Sequence, residues 1–143
     1  MSDQAYDPNN IFAKILRGEI PSTKIYEDDL VMALMDIMPR CDGHVLVVTK
    51  LPVRGLLDMP AEALGPFMSR VQKIARAVQI GMKADGLTLH QFNEPAGGQT
   101  VFHLHVHILP RVMGVSLRPH SGPIEKPEVL QAQATKIKAA LAG

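Results

Sequence analysis

The chain has 143 residues, of which 46% are hydrophobic, and its 15 basic and 14 acidic residues leave a formal charge of +1. This length and apolar content predict one domain with a sizeable core. The near-neutral balance argues against a nucleic-acid scaffold, because it creates no broad positive field. The single cysteine, Cys41, cannot form an internal disulfide, which suits a reducing cytoplasm. Residues 1–10 are polar and no apolar run approaches roughly 18 residues, so we expect neither a signal peptide nor a membrane span.

Turn residues and hydrophobic periodicity predict the elements in chain order. The helix over 11–17 can be capped by Asn9 or Asn10 and ended by Gly18. In the longest helix, over 59–82, Pro66 either causes a kink or marks the start of the regular helix. The predicted elements are a loose arm over 1–8, a helix over 11–17, strands over 23–27, 30–35 and 44–49, a helix over 59–82, strands over 87–92 and 101–109, and a final helix over 127–141.

These elements predict an α+β fold, with an antiparallel sheet of about five strands, one long helix against it and short terminal helices. The last two strands are most simply an antiparallel pair joined by a loop over 93–100. The apolar stripe of the long helix belongs to the core or to a dimer interface. Residues 113–127 contain Pro119, Pro123 and Pro127 and predict irregular structure.

Three of the six histidines occur in five residues, at His103, His105 and His107, and alternate with apolar residues. In a strand, such histidines lie on one face, with neighbours about 7 Å apart. Imidazole has a pKa near 6.5, so it serves as a base, a nucleophile or a metal ligand at neutral pH. A solvated strand face with idle imidazoles is the alternative, but solvation alone does not require three histidines.

The surroundings of the three histidines favour catalysis over metal binding. Two histidines on one strand can bind zinc, but a catalytic zinc takes about three ligands supported by carboxylates or carbonyls. No Asp or Glu lies between Pro95 and Ser121. Residues 97–100, Gly-Gly-Gln-Thr, instead offer flexible backbone, an amide and a hydroxyl, which are groups that surround a phosphate.

The segment His-Leu-His-Val-His-Ile-Leu at 103–109 resembles the signature of the histidine triad (HIT) nucleotide hydrolases and transferases. Further segments are similar to this family in the expected order: Ile11 to Pro21, Asp36 with Ile37 and Pro39, Gly43 to Val48, and Asn93 with Gly98 to Val101. The similarity covers about residues 11–111. It implies a HIT-like fold and a single HIT domain over 1–143, with a C-terminal extension at 112–143.

The resemblance implies covalent catalysis on the α-phosphorus of a nucleotide. His105 would be the nucleophile, His107 would donate to a phosphoryl oxygen, and His103 would support the row. Asp36 would accept hydrogen bonds from ribose hydroxyls, although such an Asp commonly caps a turn. Helix 11–17 would lie near the base, although plain core packing explains its apolar residues equally well. The implied catalytic residues are His105, His107, Gln99, Thr100 and His44, and the implied substrate-binding residues are Asn93, Gly98, His103, Asp36, Ile11, Phe12, Ile15 and Ile37.

The opening segment and the compact size favour the Hint-like branch, which cleaves purine nucleoside phosphoramidates and aminoacyl adenylates. The alternatives are a dinucleoside polyphosphate hydrolase of the fragile-HIT type and a nucleotide-binding or interaction module with little turnover. We expect a purine nucleotide substrate, a homodimer, a cytoplasmic location, no cofactor, and no nucleic-acid or membrane partner. No structural zinc is expected. The four positions that bind it in some family members are occupied here by Asn10, Ala13, Pro52 and His103. Only His103 could be a ligand, whereas a structural zinc site needs a full set of four.

Overall fold

A five-stranded antiparallel sheet organises the protein, and its strand order is β1-β2-β3-β5-β4. The computed structural model describes residues 5–119 and 121–143, so residues 1–4 of the predicted arm and His120 lie outside the described residues. The predicted α+β class is confirmed. The elements are α1 (Ile11–Leu16), β1 (Lys24–Glu27), β2 (Val31–Met35), β3 (Val45–Thr49), α2 (Ala61–Gly81), β4 (Gly86–His90), β5 (His105–Arg111) and α3 (Pro127–Ala142), with short 3-10 helices at Leu56–Asp58 and Pro95–Gly97.

The start of the histidine strand differs most from the prediction, because β5 begins at His105 and not at residue 101. Residues 101–103 form bends. The Leu104 N–H donates to the Val53 carbonyl (3.0 Å), and the Leu104 carbonyl accepts from the Thr49 N–H (3.3 Å). These bonds tie Leu104 to the end of β3 and to the segment after it. His103 lies two residues before the regular strand begins. The predicted antiparallel pair of β4 and β5 is confirmed.

The two faces of the sheet carry separate apolar clusters. On one face, α2 and α3 pack over a large core that includes Val47 and Val106. On the other face, α1 packs over a smaller cluster formed by Phe12, Ile15, Met32, Leu34, Leu46 and Val48. Leu46 is opposite His107, and Val48 is opposite His105. Since directly paired residues point to the same face, both histidines lie on the α1 side of the sheet.

Helix α2 begins before Pro66 and continues through it to Gly81. Its buried stripe confirms the core alternative, with Phe67, Val71, Ile74, Ala75, Ala77 and Val78 turned inward. Gly81 permits the close approach of α3, because a Cβ atom there would lie 2.8 Å from the Lys136 carbonyl oxygen. Over the described residues, no helix has both the length and the apolar content needed to cross a bilayer.

The C-terminal extension contains α3, as predicted, preceded by an irregular segment that runs beside the loop between β2 and β3. The N–H of Arg118 donates to the Arg40 carbonyl (2.7 Å), and the N–H of Glu125 donates to the Ile37 carbonyl (2.8 Å). The buried side chain of Gln133 accepts from the N–H of Gly43 (3.1 Å). Two further contacts of Arg118 add to these bonds: its carbonyl accepts from Nε of Arg40 (2.9 Å), and its guanidinium pairs with Asp42. The extension therefore holds this loop through several contacts.

Candidate active site

A pocket of about 720 Å³ opens on the α1 face of the sheet. This volume is within the range of about 300–1,000 Å³ that is usual for small-molecule sites. Most of the predicted site residues line it: Ile11, Phe12, Ile15, Asp36, Ile37, His44, Gly98, Thr100, His105 and His107. Other residues of its wall were not predicted as site residues, among them Arg40, Phe92 and Ser121.

His105 is held with its Nε2 atom unprotonated. Its Nδ1 lies 2.6 Å from the carbonyl oxygen of His103. A carbonyl oxygen only accepts, so Nδ1 carries the ring proton and Nε2 keeps a lone pair. His105 is only 8% exposed, and the centre of its ring lies 4.7 Å from the centre of the Phe12 ring. This burial lowers the pKa of His105 to about 4, so the imidazole is neutral at pH 7.

His107 is held in the opposite tautomer through His44. The backbone N–H of Arg40 donates to Nδ1 of His44 (3.0 Å), so a neutral His44 carries its proton on Nε2. That Nε2–H donates to Nδ1 of His107 (2.9 Å). A neutral His107 consequently carries its own proton on Nε2. The ring centres of His105 and His107 are 5.0 Å apart. At Nε2, His105 offers a lone pair, whereas a neutral His107 offers an N–H.

Asp36, His44 and His107 are the described residues close enough to form a metal site, since their ligand atoms lie within 4.8 Å of one another. A metal-binding histidine needs a lone pair on the ligating nitrogen and usually donates its other N–H to an acceptor. Nδ1 of His44 faces a donor, the N–H of Arg40. If a metal bound Nε2 of His44, the ring proton would lie on Nδ1 and would face the Arg40 N–H, which is also a hydrogen-bond donor. These three residues therefore suit a chain of hydrogen bonds better than a zinc site.

His103 is buried beside the pocket and does not line it. Its Nε2 donates to the carbonyl of Thr49 (2.7 Å), and its Nδ1 accepts from the hydroxyl of Tyr6 (2.6 Å). Burial also lowers the pKa of His103. The structure corrects the prediction of a loose arm at Tyr6, which is tied to His103 across 97 positions of the chain. No local pattern in the sequence could have indicated that contact.

Gln99 and Asn93 shape the loop before the histidines and do not line the pocket. Gln99 is 3% exposed; its Oε1 accepts from the Glu94 N–H (2.7 Å), and its Nε2 donates to the Arg54 carbonyl (2.8 Å). Oδ1 of Asn93 accepts from the N–H of Leu56 (2.9 Å). Direct contact of these two amides with a substrate stays a prediction.

The backbone of residues 94–99 is folded on itself by hydrogen bonds. The N–H groups of Gly97 and Gln99 donate to the carbonyl of Glu94 (2.9 and 3.1 Å). The N–H of Gly98 donates to the carbonyl of Pro95 (3.0 Å). Donors that the sequence analysis assigned to a phosphate are therefore used inside the loop. Thr100, which follows this turn, is exposed at the pocket wall.

Asp36 fixes a turn and also lines the pocket. One carboxylate oxygen accepts from the N–H of Met38 (2.8 Å), which fixes the turn after β2. The other lies 3.5 Å from Nε2 of His44, and the residue lines the pocket. The turn thus holds the carboxylate at the pocket wall, and its contact with a ribose stays a prediction.

An antiparallel sheet with a histidine-lined pocket, in which two imidazoles are held in complementary tautomers, defines a histidine triad site. The HIT domain family matches residues 17–113, and the chain belongs to this family.

Relatives include proteins named as hydrolases. The chain is 41% identical over 102 residues to the purine nucleoside phosphoramidase of Escherichia coli, a match that covers 69% of this chain and 84% of that protein. It is 36% identical over 122 residues to adenylylsulfatase HINT3 of Arabidopsis thaliana, covering 81% and 62%. The crystal structure of a Hit-like protein involved in cell-cycle regulation from Bartonella henselae has a TM-score of 0.88 and 54% identity, covering 95% of this chain and 99% of that one.

Proposed function

We propose that the protein is a nucleotide hydrolase or transferase of the Hint-like type, which cleaves nucleoside 5′-monophosphate conjugates at the α-phosphorus. One observation carries the proposal: a buried, neutral His105 whose Nδ1–H is fixed by the His103 carbonyl, which leaves Nε2 as a lone-pair donor in the pocket. A nucleophilic imidazole requires this protonation state.

In the first step, Nε2 of His105 attacks the α-phosphorus, and the bond from phosphorus to the leaving group breaks. Its electron pair departs with the leaving group, which takes up a proton from solvent water. Nε2–H of His107 donates a hydrogen bond to a phosphoryl oxygen, where negative charge grows. In the second step, water attacks the phosphorus and the bond to His105 breaks. The water oxygen stays on the nucleoside monophosphate, and its proton goes to solvent.

The pocket wall supports an assignment of the rest of the substrate. Ile11, Phe12 and Ile15 of α1, with Ile37, offer an apolar surface for a purine, and Asp36 would accept from the ribose hydroxyls. Thr100 and Gly98 would lie beside the phosphate. Gln99, Asn93 and His103 would act by holding this wall in place, because their own hydrogen bonds are made within the protein.

Two further properties belong to the proposal. We propose a homodimer, supported by the position of β4 at the edge of the sheet and by Leu89 on that strand, which is 46% exposed. Light scattering that gives a monomer mass would contradict it. The single cysteine is consistent with a cytoplasmic location, and no cofactor is needed for the steps above.

The test is incubation of the purified protein with adenosine phosphoramidate and, separately, with a diadenosine polyphosphate, followed by measurement of AMP release. We expect faster release from the phosphoramidate. Faster release from the polyphosphate would favour the fragile-HIT type of activity. AMP binding without release from either compound would favour a binding module. A radiolabelled adenylyl adduct on the peptide that contains His105 would identify the covalent intermediate.

A further inference from the structure

Glu94 has a backbone conformation that is unusual for any residue except glycine. Its φ is +63° and its ψ is 162°. Non-glycine residues persist in this region only where the surrounding structure forces them to, and such residues cluster at functional sites. Glu94 begins the turn that leads to the pocket residues Gly98 and Thr100. The direction of the chain at Glu94 therefore sets where the wall of the pocket lies.

Arg54 holds the side chain of Glu94 from the segment after β3. The guanidinium makes two hydrogen bonds to the carboxylate, from Nε (2.8 Å) and from Nη2 (3.0 Å). It also lies 4.0 Å above the ring centre of Phe102, next to the first histidine of the triad. A two-pronged contact of this kind fixes orientation as well as distance. The Arg54 side chain is 13% exposed and is not part of the pocket wall.

The backbone completes the connection. The Arg54 carbonyl accepts from Nε2 of Gln99, whose Oε1 accepts from the N–H of Glu94. Arg54, Glu94 and Gln99 thus form a closed ring of hydrogen bonds, which we call the loop clamp. Next to it, the N–H of Leu56 donates to the side chain of Asn93. The clamp joins the segment after β3 to the loop that precedes the histidines.

We propose that Arg54 is a positioning residue, which acts through Glu94 to hold the 94–99 turn in the conformation that places Gly98 and Thr100 in the pocket. The catalytic part of this inference rests on the proposed function, whereas the conformational part does not. Without Arg54, the side-chain contact that helps to hold Glu94 at a positive φ is lost, and the 94–99 turn adopts other conformations more often. Glycine at position 94 would adopt the same φ without restraint, so it should remove the need for Arg54.

The conformational test is amide hydrogen exchange of R54A, with R70A as the matched control. Arg70 also pairs with a carboxylate, that of Asp28, from a part-buried position on α2 outside the pocket wall. We expect the amides of Gly97, Gly98 and Gln99 to exchange about tenfold faster or more in R54A, and unchanged in R70A. Equal exchange of these amides in wild type and R54A would overturn the proposal.

The catalytic test is a double-mutant cycle with E94G. For R54A alone we expect kcat for adenosine phosphoramidate to fall by about tenfold, with a smaller change in KM. In the E94G background the same substitution should change kcat by less than about twofold. An equal loss of kcat in both backgrounds would mean that Arg54 acts without Glu94 and would overturn the proposal. If wild type cleaves neither substrate, the proposed function fails, and the exchange experiment still decides on the clamp.

Discussion

The Nε2 atom of His44 lies 2.9 Å from Nδ1 of His107, and the other ring nitrogen of His44 faces the backbone N–H of Arg40. A backbone N–H can only donate, so Nδ1 of His44 accepts and a neutral His44 carries its proton on Nε2. The Arg40 N–H thereby also determines that His44 donates to His107. A neutral His107 therefore carries its proton on Nε2, the ring nitrogen that does not contact His44. His105 receives the opposite arrangement from the His103 carbonyl. Two fixed backbone groups thus give the two imidazoles different chemistry.

Replacement of His44 should lower turnover through His107. In H44A the Nδ1 of His107 loses its donor, and we expect kcat to fall by about tenfold or more with little change in KM, as for the loss of one oriented hydrogen bond. H44Q is the matched variant, because its amide can accept from Arg40 and donate to His107. We expect H44Q to recover part of the rate. Equal kcat values for H44A and wild type would show that His107 does not depend on His44.

Replacement of His105 by glycine should nearly abolish turnover, because it removes the Nε2 lone pair that we propose as the nucleophile. Since His105 is 8% exposed and packs against Phe12, we also expect a lower melting temperature from the cavity. Circular dichroism and AMP binding would show whether the variant is folded. Retention of more than about 5% of the activity in a folded H105G would mean that another group attacks the phosphorus.

The pH dependence of kcat/KM should show an acidic limb near pH 4, because burial lowers the pKa of His105 to about 4. Above this pH the ring is neutral and reactive; below it, activity should fall about tenfold per pH unit. Burial disfavours the protonated ring in the folded state, so stability should also decline as the pH falls from about 6.5 towards 4. A limb near 6.5 in the activity profile would show that the nucleophile is not shielded from water.

Asp36 should distinguish ribose from deoxyribose. A carboxylate that accepts from ribose hydroxyls predicts a preference for the ribonucleotide of about tenfold or more in kcat/KM. D36N keeps an oxygen that can accept from the Met38 N–H, so the turn is retained while the charge is lost. We expect this variant to lose most of the preference. If the ratio for ribose and 2′-deoxy substrates is the same in D36N and wild type, Asp36 serves only the turn.

The loop residues show where local sequence reasoning falls short. The Gly-Gly-Gln-Thr segment correctly indicated a polar loop at the pocket, and Gly98 and Thr100 do line it. Gln99 was assigned to the phosphate, yet its amide binds Glu94 and Arg54. Spacing along the chain shows which groups are available in a loop. It does not show that a residue 45 positions away will use them.

The sequence by itself determined the α+β class, the order of the elements and the family, because hydrophobic periodicity and turn residues are local properties and the histidine pattern is specific. Most of the site residues that it predicted also line the pocket. Only the tertiary structure decided the chemistry of each histidine. Burial under α1 lowers the pKa of His105, and carbonyl or N–H groups from distant segments set each tautomer. These effects depend on which groups meet across the sheet, and residues as far apart as Tyr6 and His103 meet only after folding.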